Sequence, residues 1–201
     1  MKVYLYLEKE EWADAWVNGG EIPITPASAY LADDRDGIMT PDENLIHKGE
    51  VPIPSLRQFG FDFRSVQNLN MSGNSIISNI NGIEEATHVP DITNGSYYKE
   101  DGLILSFCNH LSPDTALKLG KVICVELTNI AKTKKQLDKR LGIRSEMNKC
   151  EYTEDHHRNH FLKHKDDSWQ DEYRIFWKSQ QGRRWVNIPS GTAKIVWTLN
   201  S

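Results

Sequence analysis

Residues 169–177, Trp-Gln-Asp-Glu-Tyr-Arg-Ile-Phe-Trp, limit the possible folds of this chain more than any other stretch. Successive side chains of a strand point to opposite faces of a sheet, so alternate residues share a face. One face is then aromatic and aliphatic and suits a protein core: Trp169, Tyr173, Ile175 and Trp177. The other face carries an amide, a carboxylate and a guanidinium, each two residues from the next: Gln170, Glu172 and Arg174, with Phe176 beyond them. The stretch therefore predicts a strand whose polar face is either a site or an ion-paired surface.

Strands and helices are also predicted elsewhere, with strands predominating toward the C-terminus. Residue alternation and apolar runs predict strands over 2–7, 103–107, 121–127, 184–188 and 192–199. Caps and glycine stops predict helices over 8–17, 112–119 and 130–141. Gln181-Gly182 predicts a hairpin turn between the 169–177 strand and the 184–188 strand. The result is a mixed fold, and 201 residues suit a single domain over 1–201.

Two polar stretches have less regular patterns. Residues 21–50 contain prolines at 23, 26 and 41, which predicts a long irregular loop, and such loops often carry function. Residues 68–94 are rich in Asn, Ser and Gly and predict turns with short strands.

Arg35 lies in the first of these stretches, among several nearby acids. Charge-assisted hydrogen bonds would hold its guanidinium, which could still present donors to a phosphate. Tyr30 adds an aromatic ring close by in the sequence. The alternative is a surface loop in which one arginine balances its acidic neighbours.

Charge and cysteine content narrow the class of protein. The net charge of −4 gives no overall attraction for nucleic acid, although acids predominate over 8–50 and bases over 132–165. Three cysteines without paired spacing argue against a disulfide framework and favour a reducing cytoplasm. Because no apolar run has the length of a membrane span and the N-terminus lacks a signal-peptide layout, we expect a cytoplasmic protein with no membrane partner.

Two histidine-containing sets suggest other chemistry. If 154–163 were helical, His156 and His160 could reach one metal ion, but two ligands do not make a site and nearby bases would repel a cation. Cys108 and His110 could act as nucleophile and base, although a cysteine near a strand usually packs in the core. We therefore expect no metal site. The sequence also lacks the common phosphate-loop, dinucleotide-turn and hydrolase-elbow motifs.

The Gln170-x-Glu172 pair, in a late strand after a loop with aromatic and basic residues, resembles the Q-x-E motif of ADP-ribosyltransferases. The wider 169–174 pattern resembles prokaryotic toxin and phage-defence members of that superfamily. This resemblance implies an α+β fold with a mixed, mainly antiparallel split β-sheet core and a few flanking helices. Ser106 is a loose match to the serine of the family's middle strand. The family's first strand carries Arg or His where this chain has Tyr4, so Arg35 and Tyr30 are the expected substitutes.

The resemblance implies that the chain cleaves NAD and transfers ADP-ribose. Breaking the nicotinamide glycosidic bond builds positive charge on the ribose, which a carboxylate at Glu172 would stabilise. Gln170 would orient the acceptor, and Arg35 would bind the diphosphate or orient the ribose. The other side chains expected at the NAD are Tyr30, Ser106 and Tyr4.

The implied acceptor is a nucleic acid, with RNA favoured over DNA or protein. Bases and interleaved aromatic residues before the late strand could bind phosphates and stack on nucleobases. The residues expected to do so are Arg158, Lys163, Lys165 and Trp169. A toxin of this kind would also need either an antitoxin protein as a partner or a release that infection triggers. Two interpretations from other classes stay open: a non-enzymatic nucleic-acid-binding module, and a metal-dependent nuclease that uses His156 and His160.

Overall fold

The computed structural model describes residues 1–72, 75–80, 83–178 and 180–199, and it describes side chains outside 73–87. The strands among them are β1 (Val3–Leu7), β2 (Gly20–Pro26), β3 (Leu45–Lys48), β4 (Val66–Met71), β5 (Ser75–Ile80), β6 (Ile83–His88), β7 (Ile92–Lys99), β8 (Gly102–Cys108), β9 (Ile123–Leu127), β10 (Glu146–Lys149), β11 (Glu151–Thr153), β12 (Leu162–His164), β13 (Glu172–Lys178), β14 (Arg184–Ile188) and β15 (Lys194–Thr198). The α-helices are α1 (Glu11–Asn18), α2 (Pro113–Lys118) and α3 (Ile130–Leu141), and 3₁₀ helices lie at Ala27–Tyr30, Ile53–Phe59 and Lys165–Gln170.

The largest sheet is antiparallel and has the order β10-β13-β8-β1-β9-β15. One edge of β8 pairs with β13 along its whole length. Its other edge pairs with β1 at Cys108 and with β2 at Leu103 and Ile104, and β14 extends the sheet beyond β2. Within the described residues no strand pairs with 105–107 on that edge. The sheet therefore opens between β1 and β2, and a cleft forms there.

The main core packs against one face of this sheet. Val3, Leu5, Ile175 and Trp177 point into it, together with Trp16 of α1. The indole N–H of Trp177 donates to Asp138 Oδ1 at 2.9 Å, which satisfies the polar atom of a fully buried ring. Because alternate residues of a strand face opposite ways, the side chains between these core residues face the other side of the sheet.

Smaller sheets flank the main one. β3, β7 and β4 form an antiparallel sheet over a second core of buried residues: Ile53, Leu56, Val89 and Ile92. β5 and β6 form an antiparallel pair. Among the described strands, β11 and β12 form the one parallel pair, and β12 carries Lys163 into the region of the cleft.

The structure confirms a mixed α+β fold built mainly from antiparallel sheet with few helices. Strands lie at each position predicted for one, and α3 has the predicted bounds. The predicted short strands of 68–94 are present as parts of β4 to β7, while 73, 74, 81 and 82 lie outside the described residues. No helix in the described ranges has the length and apolar character needed to cross a bilayer.

Three local predictions are wrong. The 21–50 stretch is not one irregular loop, because β2 and β3 lie within it. Pro23 is tolerated in β2 because β14 is its only neighbour at that point among the described residues, and a strand edge can lack an N–H donor. The predicted hairpin at 181–182 does not form, since β14 pairs with β2 instead of β13. The late strand begins at Glu172, three residues after its predicted start.

Candidate active site

A cleft of about 560 Å³ occupies the opening between β1 and β2. Its polar lining comes from both halves of the chain and includes Glu43, Ser106, Gln170, Glu172, Arg174 and Arg183; Glu8, Glu11, Glu21, Thr25 and Lys121 also line it. Its aromatic lining includes Tyr4, Trp12, Tyr30 and Trp185. Concave sites with aromatic walls and a few convergent polar groups are typical of small-molecule binding, so this cleft is the candidate active site.

Strand register explains how these side chains come to one face. Glu172 lies opposite Cys108 of β8, and Cys108 lies opposite Tyr4 of β1. Arg174 lies opposite Ser106 in the next same-facing row. Alternation along β13 and β8 therefore places a carboxylate, a guanidinium and a hydroxyl beside the opening of the sheet.

Gln170 reaches the same place without being part of the strand. It ends the 3₁₀ helix Lys165–Gln170, and Asp171 follows in a left-handed conformation with φ of 43°. Aspartate tolerates this conformation better than most residues. The turn lets Gln170 Oε1 and Glu172 Oε2 both accept from the Lys163 ammonium, each at 2.9 Å. Gln170 Nε2 donates to the Gly37 carbonyl at 2.8 Å, which fixes the orientation of the amide.

Two cations hold the carboxylate of Glu172. Lys163 Nζ and Arg174 Nη2 each lie 2.9 Å from its Oε2. Burial opposes ionisation of Glu172, but the charges of Arg174 and Lys163 outweigh it and lower its pKa to about 2. Glu172 is therefore a fixed anion at the cleft throughout the physiological pH range.

A second buried carboxylate, Glu43, shares the same cations. Its Oε1 lies 2.7 Å from Arg174 Nη2, and its Oε2 lies 3.8 Å from Lys163 Nζ. Burial raises the pKa of Glu43, and the negative charge of Glu172 adds to that rise. The pKa values of the two carboxyl groups are thus driven apart, an arrangement common where one group must stay ionised beside another.

Eight charged residues form a connected set that we call the charge network: Arg35, Asp42, Glu43, Arg158, Lys163, Asp167, Glu172 and Arg174. Its four cations balance its four carboxylates. Asp42 links Arg35 to Arg158 through contacts of 2.9 and 2.7 Å, and Asp167 links Arg35 to Lys163. Buried charges are tolerated when they are paired in this way.

The predicted NAD-site residues divide into two groups. Tyr30, Ser106 and Tyr4 line the cleft, as do Gln170 and Glu172. Arg35 does not line it. The guanidinium of Arg35 pairs with Asp42 and Asp167, so its predicted contact with a diphosphate is corrected to a supporting position in the charge network.

The predicted nucleic-acid surface does not form. Lys163 and Arg158 are buried and paired with carboxylates, so neither presents a charge to solvent. Lys165 is exposed but pairs with Glu154. Trp169 lies in the 3₁₀ helix instead of the core row, half-buried, with the Lys118 ammonium 5.5 Å from its ring centre. The basic 132–165 segment is thus partly neutralised by tertiary contacts.

The histidines and cysteines do not assemble a further site. His156 Nε2 donates to the Gly49 carbonyl at 2.9 Å, whereas His160 stacks on Phe176, so the two point to different partners. The described residues contain no group of three or more His, Cys, Asp or Glu that could hold a metal ion. Cys108 is a free, buried thiol whose pKa burial raises far above its ordinary value, which does not suit a nucleophile.

The depressed pKa of Glu172 predicts a pH dependence of stability. Its folded pKa of about 2 lies below the ordinary 4.5, so its ion pairs contribute stability above pH 4.5 and lose that contribution as pH falls toward 2. We expect the difference in free energy of unfolding between the parent protein and Glu172→Gln to be largest at neutral pH and to shrink as pH falls from 5 to 2. Urea unfolding at a series of pH values measures it. If the difference in free energy of unfolding did not vary between pH 5 and 2, the lowered pKa of Glu172 would be contradicted.

Sequence reasoning missed several residues of the cleft. Glu43 follows Asp42 in a turn before β3, and no local pattern connects it with β13. Only Trp12 and Trp185 could have been found from the sequence, because each is a large apolar side chain on the exposed face of an element whose other face is buried.

The chain was compared with protein-family models, with curated proteins and with solved structures, and it matches none of them. Its resemblance to a family therefore rests on its own residues.

Proposed function

We propose that the cleft binds NAD and that the protein is an ADP-ribosyltransferase with Glu172 as its central catalytic group. The observation that carries this proposal is the carboxylate of Glu172, which two cations hold in its ionised form beside the opening of the sheet. A sheet that opens between two strands is also the core that the family resemblance implies.

The proposed reaction uses a fixed negative charge. The bond between the ribose C1′ and the nicotinamide nitrogen breaks, and its electron pair neutralises the pyridinium ring of the leaving nicotinamide. Positive charge develops on the ribose, where the Glu172 carboxylate stabilises it and accepts a hydrogen bond from a ribose hydroxyl. An oxygen or nitrogen of the acceptor then bonds to C1′, and its proton passes to solvent.

Other cleft residues suit the rest of NAD. Tyr4 and Tyr30 offer aromatic faces near Glu172 for the nicotinamide or its ribose. Arg183 is exposed, lines the cleft and pairs with no carboxylate among the described residues, so it takes the diphosphate role predicted for Arg35. Gln170 is held by Lys163 and Gly37, and it supports Glu172 by fixing the ammonium that they share.

The test is incubation of the purified protein with labelled NAD and separate pools of RNA, DNA and protein. We expect nicotinamide release and label on one pool. Arg183→Ala should raise KM for NAD by about 10-fold or more with a smaller effect on kcat, because a lost charge-assisted hydrogen bond weakens binding. Arg64→Ala is the matched control, since Arg64 is exposed and lies outside the cleft lining. No nicotinamide release from the parent protein with any pool would contradict the proposal.

A further inference from the structure

The exposed indole of Trp185 stands where two concave surfaces meet. Its side chain is 59% exposed, which is unusual for a tryptophan in a sheet. Trp185 lines the cleft, and it also lines a second groove of about 520 Å³ on the neighbouring surface. The C-terminal end of α3 and strand β14 form the walls of this second groove.

The second groove carries solvated positive charge. Arg140 from the last turn of α3 and Arg184 from the start of β14 line it, and both are exposed. In the ranges that the structure describes, neither arginine has a carboxylate partner, in contrast to the arginines of the charge network. Glu21 is the one acid in the lining, and its Oε1 lies 3.5 Å from Asn187 Nδ2. The groove therefore has an excess of cationic groups beside a free aromatic face.

We propose that the second groove binds a single-stranded nucleic acid and leads it to the cleft, which makes such a strand the acceptor of the proposed ADP-ribosyl transfer. Guanidinium groups bind phosphates, and an exposed indole stacks on an unpaired base. An acidic peptide would pair with the arginines but would gain little from the indole face. A duplex would keep its bases stacked on each other and away from Trp185. The role of the strand as acceptor rests on the proposed function, but binding of the strand to the second groove does not require NAD.

The test measures binding without NAD, using fluorescence anisotropy of short labelled oligonucleotides at several salt concentrations. An unstructured oligo-U and an oligo-dT distinguish RNA from DNA, and an acidic peptide of the same length is the third probe. We expect the oligonucleotides to bind the parent protein. Trp185→Ala should weaken binding by about 10- to 100-fold through lost stacking. Arg140→Ala combined with Arg184→Ala should reduce the slope of log affinity against log salt by about 1.4, or about 0.7 for each lost phosphate contact.

Controls separate this inference from the proposed function. Arg64→Ala should bind like the parent, and unchanged melting temperatures should show that the variants fold. Nicotinamide release without an acceptor should be unaffected by the double variant, because Arg140 and Arg184 line the second groove and not the cleft. Oligonucleotide binding without any nicotinamide release would support the groove and overturn the NAD proposal. Preference for the acidic peptide, or equal oligonucleotide binding by parent and variants, would overturn the proposal that the second groove binds single-stranded nucleic acid.

Discussion

Glu172→Gln is expected to reduce nicotinamide release from NAD by about 10²- to 10⁴-fold, the range found when a group that stabilises transition-state charge is removed. Glutamine keeps the size of the side chain and can accept a hydrogen bond from Lys163 or Arg174. It lacks the negative charge that the developing positive charge on the ribose requires. The loss should therefore appear in kcat more than in the KM for NAD, which steady-state kinetics resolves.

A charge change within the same network provides the matched control for this experiment. Asp42→Asn removes one carboxylate from the charge network at a position that does not line the cleft. We expect Asp42→Asn to keep at least about a tenth of the parent activity, since its effect on the reacting atoms is indirect. Equal losses in the two variants would mean that the network as a whole, and not the carboxylate of Glu172, supports the reaction.

Arg174→Met is expected to destabilise the protein by about 3–5 kcal/mol, because it breaks a buried ion pair and leaves its partners without compensation. Arg174 is 2% exposed and lies within 3 Å of both Glu43 and Glu172. It also donates to the His160 carbonyl at 3.1 Å. After its loss, Lys163 would be the one cation within 4 Å of the two carboxylates among the described residues. Urea unfolding at neutral pH measures the effect.

A second substitution makes this prediction specific to charge. In the Arg174→Met background, Glu43→Gln removes one uncompensated carboxylate, so the double variant should be more stable than Arg174→Met alone. In the parent background, Glu43→Gln breaks a pair with Arg174, so it should have no such stabilising effect. Strictly additive free energies would contradict the idea that Arg174 serves mainly to compensate these two carboxylates.

Local sequence patterns predicted most of the elements that form the sheet. β1, β8 and β9 follow from apolar alternation or apolar runs, and the end of α3 follows from the glycine at 142. The face assignment of Tyr173, Ile175 and Trp177 toward the core is confirmed, because it depends on the period of a strand alone. The same period placed Trp169 and Gln170 in the strand wrongly, since the strand begins only at Glu172, after the turn at Asp171. Gln170 nevertheless lies beside Glu172 in the cleft, as predicted, because the turn brings it there.

Local sequence patterns could not predict which strands pair when they are distant in the chain. The 184–188 strand has a clear local signal, but its partner is β2 and not the adjacent β13. β2 was missed because it contains Pro23 and Pro26, and proline is rare in strands except at edge positions. The opening of the sheet, and hence the cleft, depends on these pairings.

For the charged residues too, the distribution along the chain is local information, whereas the ion pairs depend on the tertiary structure. The sequence by itself determined an acidic segment over 8–50 and a basic segment over 132–165, together with a carboxylate and a guanidinium on one face of a strand. Only the tertiary structure decided that Asp42 and Glu43 neutralise Arg158, Lys163 and Arg174, and that Arg140 and Arg184 are left solvated. The physical reason is that hydrophobic alternation is read within a strand, whereas the partner of a charge is set by whichever residues the sheet topology brings within a few ångströms.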